Sequence, residues 1–113
     1  MENLIYNELL RRGYDVDVGV VPVSTRDENG RQSIRQHEID FVVNRGNAKI
    51  YIQSAFKLGS EAKERQETLS LRHTGDFFRK YIVTGDYGEP FADDSGIVRV
   101  GIIPFLLNED ILR

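Results

Sequence analysis

Apolar positions at the start of the chain recur with helical spacing and then change to strict alternation. Met1, Leu4, Ile5, Leu9 and Leu10 fall on one broad face if residues 1–13 are wound as a helix, and Gly13 supplies its stop. From Tyr14 the period is two. Tyr14, Val16, Val18 and Val20 share one face, Asp15 and Asp17 the other, and Val21-Pro22-Val23 closes the strand. Asp27-Glu28-Asn29-Gly30 contains the Asn-Gly pair favoured in tight hairpins, which predicts antiparallel pairing with a second strand from about Ser33 to Val43. In that second strand Glu38, Asp40 and Val42 are expected on one face and Ile39, Phe41 and Val43 on the other. After a turn at Asn44-Arg45-Gly46-Asn47, Lys49 to Phe56 forms a third strand, with Ile50, Ile52 and Ser54 alternating against Tyr51, Gln53 and Ala55.

Ser60 is a good cap for a polar helix from Glu61 to about Leu71, whose few apolar contacts, Ala62, Leu69 and Leu71, predict a surface position. Phe78 to Thr84 reads as a buried strand, Gly85 to Pro90 as a turn, and Ile97 to Ile103 as a short β-branched strand. Pro104 suits a first helical position, so Phe105 to Leu112 is expected to close the chain as a helix. The order is α-β-β-β-α-β-β-α, an α/β domain. A length of 113 residues fits one such domain, residues 1–113, and not two. The helix beginning at Met1 leads us to expect that the chain is part of something longer.

Composition narrows the chemistry. No apolar run approaches the roughly 20 residues that span a bilayer, and the start lacks a secretion signal, so no membrane partner is expected and the cytoplasm is the default. There is no cysteine, and His37 and His73 are isolated, which leaves carboxylates as the candidate metal ligands and a hard ion such as magnesium as the candidate metal. A net charge of −3 disfavours strong independent binding of nucleic acid. The basic groups at Arg11-Arg12, from Arg26 to Arg35, and at Lys63, Arg65 and Arg72 read as solvated surface, with contact to phosphate as the alternative.

Three polar side chains are expected on inward faces. Glu2 lies within the apolar arc of the first helix, Asp40 is embedded in a strongly apolar strand, and Gln53 is centred in the adjacent strand. Each also has a structural reading. Glu2 is favourable near a helix start without any metal, Asp40 can be satisfied by Arg35 or by backbone amides, and Gln53 can serve as a hydrogen-bonding spacer.

An acidic residue in a first helix, then Glu-Ile-Asp-Phe-Val-Val, a turn, and Ile-Tyr-Ile-Gln-Ser-Ala resembles the PD-(D/E)XK nuclease superfamily. More narrowly, the opening Glu-Asn-Leu-Ile-Tyr-Asn-Glu-Leu-Leu-Arg-Arg-Gly-Tyr, followed by that second motif, resembles the C-terminal domain of bacterial AAA-type ATP-binding proteins. The resemblance implies a restriction-endonuclease-like fold, a central mixed sheet flanked by helices, following an ATPase domain in the same longer chain; no phosphate-binding loop occurs in these residues. It assigns the helix carboxylate to Glu2, the metal-binding aspartate to Asp40 and the second acidic ligand to Gln53, with Glu2 and Asp40 as the remaining metal carboxylates. Ala55 stands where that family has lysine, and Lys57, about 7 Å further along the same strand face, is the nearest substitute. A neutral amide at Gln53 and a missing ammonium weaken attraction for magnesium and activation of its water. The expectation is therefore a non-catalytic or weakly active module contacting nucleic acid weakly or a protein partner. The alternatives are a magnesium nuclease with a relocated lysine and a purely structural docking domain.

Overall fold

A computed structural model of the chain describes residues 2–26, 28–55, 71–72, 74 and 76–112. Within them the change of period at Tyr14 becomes the junction between a helix and a sheet. Helix α1 runs from Glu2 to Arg11, and Gly13, at φ +84°, turns the chain so that the Tyr14 N–H donates to the Leu9 carbonyl at 3.1 Å. Ile5 and Leu9 are fully buried, but Leu4 and Leu10 are exposed, so the apolar stripe is narrower than the sequence predicts. Arg12 follows it one turn on. Its buried guanidinium lies over the Phe105 ring, donates to the Phe105 carbonyl at 2.7 Å and pairs with Glu8 at 2.9 Å. Arg11 is exposed as expected; Arg12 is not part of a solvated basic patch.

Among the described residues six strands follow: β1 (Asp15–Arg26), β2 (Gln32–Arg45), β3 (Ala48–Ala55), β4 (Arg79–Thr84), β5 (Phe91–Ala92) and β6 (Val98–Gly101). They form one mixed sheet in the order β1-β2-β3-β4-β6-β5, antiparallel through β3, parallel from β3 to β4 and from β4 to β6, and antiparallel again at β5. A six-residue helix, α2 (Ile102–Leu107), and a 3₁₀ turn (Glu109–Leu112) end the chain.

This is an α/β fold that differs from the expected order in two places. β5 is an added two-residue edge strand. The last strand stops at Gly101 instead of Ile103, and the closing helix begins at Ile102 with Pro104 already inside its first turn. The cause lies in the preceding loop, which crosses Gly101 so closely that a Cβ there would collide with Asp86 and Gly88, while the Gly101 N–H donates to the Gly88 carbonyl at 2.7 Å. The helix expected over Glu61 to Leu71 lies outside the described residues except for Leu71, which is fully buried and, like Arg72, helical.

The sheet is packed on both faces. Ile5 and Leu9 from α1, Phe105 from α2 and Leu112 close over Phe41, Val43, Ile50, Ile52, Tyr81, Val83 and Val100 on one face. On the other, Val21, Ile39, Val42, Ala55, Ile82 and Ile97 gather with Leu71. Ile39 and Phe41 thus lie on opposite faces, which overturns the simple alternation expected for β2. The register supplies the reason: Asp17 is opposite Val42 but Gly19 is opposite Ile39, so two residues of β2, Asp40 and Phe41, face the single Val18 of β1. This is a β-bulge, and the extra residue shifts every side chain beyond it to the other face. It also explains a glycine. With Ile39 and Val42 brought to one side, a Cβ at Gly19 would lie 2.6 Å from Val42 Cγ2 and 3.4 Å from Ile39 Cβ.

Pairing between β2 and β3 begins only at Phe41 with Ile52. Among the described residues, β1 and β2 pair with each other alone from Gly19–Ile39 out to Arg26–Gln32, as a two-stranded arm. The molecule is correspondingly long, 48 × 32 × 25 Å.

Candidate functional site

The bulge makes a fork between β2 and β3, and three of the side chains singled out by sequence converge on it. One ladder step past Phe41 and Ile52, Asp40 and Gln53 are not joined by main-chain bonds. Side chains replace them. Gln53, with 1% of its surface exposed, accepts the Asp40 N–H at 2.7 Å and donates to the Glu38 carbonyl at 3.0 Å. In return the Asp40 carboxylate accepts the Ser54 N–H at 2.8 Å. Backbone groups set loose by the bulge are thereby satisfied inside the protein, where leaving one unpaired costs roughly 1–3 kcal/mol. Of the readings open for Asp40, the backbone amide is the one realised, and Arg35 is not its partner.

The fork is electronegative. Burial raises the Asp40 pKa above the usual carboxylate range, the Ser54 N–H draws it back, and the charges of Glu2 and Glu38 push it up further. Glu2 itself is exposed on the first turn of α1, so its side chain acts on Asp40 through space and is not buried against the sheet. Glu38, which the sequence places only as a neighbour of Asp40 on one strand face, belongs to this cluster. Its part becomes visible only once the bulge is known. Lys57 lies outside the described residues, as does His73.

The donor set can be tested against magnesium, the metal that the resemblance implies. Magnesium requires several hard oxygens in a tight octahedral shell. Gln53 Oε1 is turned to a backbone N–H and its amide nitrogen to a carbonyl, and one Asp40 oxygen is held by Ser54. Among the described residues no group of three or more His, Asp or Glu side chains is arranged to hold a metal ion. These residues, as placed, do not fit a magnesium site.

A second polar cluster, not anticipated from sequence, lies on the face of the sheet that carries Ala55 and Ile82. The Tyr51 hydroxyl donates to Asp76 at 2.6 Å, Lys80 pairs with Asp76 at 3.3 Å and sits over the Tyr51 ring, and the Phe78 N–H also donates to Asp76. Burial and the bond to Asp76 push the Tyr51 pKa up to about 12. For Asp76, burial alone would raise the pKa, but the bonds from Tyr51, Phe78 and Lys80 outweigh it and hold the carboxyl below its usual value. Every polar group here is used internally, so the cluster ties the turn before β4 to β3.

No family model matches the sequence. A protein of Haemophilus influenzae described as an uncharacterized protein is 34% identical over 107 residues, covering 95% of this chain and 22% of the relative. The chain thus spans about a fifth of the length of that curated relative. No helix among the described residues is long and apolar enough to cross a membrane.

Proposed function

We propose that this domain is a nuclease-like interaction module that does not cleave nucleic acid, working within a longer polypeptide that also carries an AAA-type ATPase domain. One observation carries the reading. Gln53, at the position where the resembling nucleases hold an acidic metal ligand, spends both ends of its amide on the backbone of β2. Its carbonyl oxygen is a hydrogen-bond acceptor within the fold, and Ala55 offers no cation beside it. What remains at the fork is a brace between strands. Support for the longer context comes from the relative, most of whose length lies outside the matched region.

The test is a cleavage assay in magnesium and in manganese on single-stranded, duplex and branched DNA and RNA, comparing wild type with Asp40→Ala and Lys57→Ala. The expected result is background cutting by all three proteins. Cutting by wild type that both substitutions abolish overturns the reading in favour of a nuclease with a relocated lysine.

A further inference from the structure

The fold covers one face of the β1–β2 arm and leaves the other bare. Val21, Val23 and Ile39 are buried on the first, where Val21 and Ile39 join the cluster around Leu71. On the second, four rungs follow one another: Val20 with Glu38, Pro22 with Gln36, Ser24 with Ile34, and Arg26 with Gln32. All eight residues are exposed. Residues directly opposite each other share a face, so these side chains make one surface, about 20 Å from the first rung to the fourth. Val20 and Ile34 are each more than half exposed on it, apolar area that burial would take out of water.

The charges on this surface stand in a self-complementary order. Glu38 is on the first rung, beside the fork, where it and Glu2 act on Asp40 and no described arginine or lysine does. Arg26 is on the fourth rung. About 20 Å separates the two, too far for an ion pair within one copy. Turned over about an axis across the strands, midway between the second and third rungs, the face lays its fourth rung on the first rung of an identical face. Each Arg26 then arrives at an acidic fork that lacks a cation, twice in one symmetric contact.

We infer that the bare face of the arm docks against the same face of a second copy of this chain, antiparallel, with Arg26 of each copy directed to Glu38 of the other. Sheets packed face to face lie about 10 Å apart, which places the two Ile34 side chains on either side of the axis and each Val20 beneath the stem of an opposing Arg26. The other way to join two copies, continuing the sheet through its edge strand β1, is interrupted in the middle of that edge by Pro22, which has no N–H to donate. The contact is small, on the order of 400 Å² per copy, about half the standard size, so the association is weak, with a dissociation constant on the order of 10–100 μM. Self-association names a partner for the interaction module and does not depend on whether the fork cleaves nucleic acid.

Sedimentation equilibrium of the 113-residue chain from about 5 to 500 μM tests this, because mass action reveals a weak dimer only towards the upper end. The average mass of wild type is expected to rise from that of one chain towards two. Ile34→Lys should hold it at one chain throughout, whereas Phe77→Lys, at a fully exposed aromatic before β4, should leave the association unchanged. Arg26→Glu and Glu38→Arg should each raise the dissociation constant about tenfold, since each sets like charges against one another, and Arg26→Glu/Glu38→Arg should return it to within about threefold of wild type. Circular dichroism confirms that each variant is folded. The inference is overturned if wild type keeps the mass of one chain across the range, if Ile34→Lys still dimerises, or if the double variant stays as weak as the single ones. Cutting in the nuclease assay would leave the dimer standing, and a monomer would leave the non-cleaving proposal standing, so the two failures are distinguishable.

Discussion

The two halves of β2 are one strand in sequence and two environments in the fold. Its inner half, Phe41 to Arg45, is paired with β3 throughout and with β1 as well from Val42 to Asn44, and Phe41, Val42 and Val43 are all buried. Its outer half, Gln32 to Ile39, is paired on one side, and Ile39 is the single residue there that is fully buried. Asp40 marks the boundary. The contrast shows that apolar sequence alone does not tell where a sheet ends, since Ile34 is 66% exposed and Ile39 0% on the same strand. What separates them is the face each one takes: Ile39 turns to the cluster that holds Val42, Ala55, Leu71 and Ile82, whereas Ile34, five residues away, points to the opposite side.

The largest effect should come from the inner half. Ile52, fully buried and opposite Phe41, loses three carbons in Ile52→Ala, and urea denaturation should show a loss of about 2–5 kcal/mol. A loss below 1 kcal/mol would mean that this part of the sheet is not the core described.

Next comes the brace. Gln53→Ala leaves the Asp40 N–H and the Glu38 carbonyl without partners in a buried fork, and should cost about 2 kcal/mol in the same measurement. Gln53→Glu should not rescue it, because a carboxylate cannot donate to Glu38 and adds charge beside Asp40. If Gln53→Glu proved as stable as wild type, the brace would not be Gln53's role.

A third effect depends on pH. The Asp40 pKa is raised in the fold, so the protonated form is favoured there relative to the unfolded chain. Stability linked to this group is fully present below its ordinary value of about 3.9 and is lost as pH rises through the higher folded value. Asp40→Asn keeps an acceptor for Ser54 and removes the charge. Melting curves should therefore show the variant more stable than wild type at neutral pH, with the difference closing as pH falls below the ordinary value. A difference that persists in acid would point to altered packing instead of charge.

The smallest effect is expected on the arm, where Ile34→Ala should change stability by no more than about 0.5 kcal/mol, within the range of surface substitutions. A larger loss would show that something in the protein covers that face.

Much of this was legible in advance. The switch of period at Tyr14, the Asn-Gly turn and the alternation in Lys49 to Ala55 are local signals. They placed α1, the β1–β2 hairpin and β3 close to where they lie. The pairing of Asp40 with Gln53 across the fork was also within reach, since a hairpin register brings them near each other. The residues at the fork could be named, but not what holds them. Alternation is a rule about neighbours along one strand, and the bulge that breaks it is decided between strands, by β1 offering one residue where β2 offers two. Asp76 likewise sits in a turn with no periodic signal and becomes meaningful only beside Tyr51.

By itself, then, the sequence determined the kinds of elements and most of their limits, because hydrogen bonding within a helix turn or across a tight hairpin involves residues close along the chain. The tertiary structure alone decided that Arg12 is buried against Phe105, that Ile39 and Phe41 face apart, and that Gln53 serves the backbone of another strand. Each of these depends on surfaces contributed by residues remote in sequence, whose approach sets both the burial and the partner of a polar group.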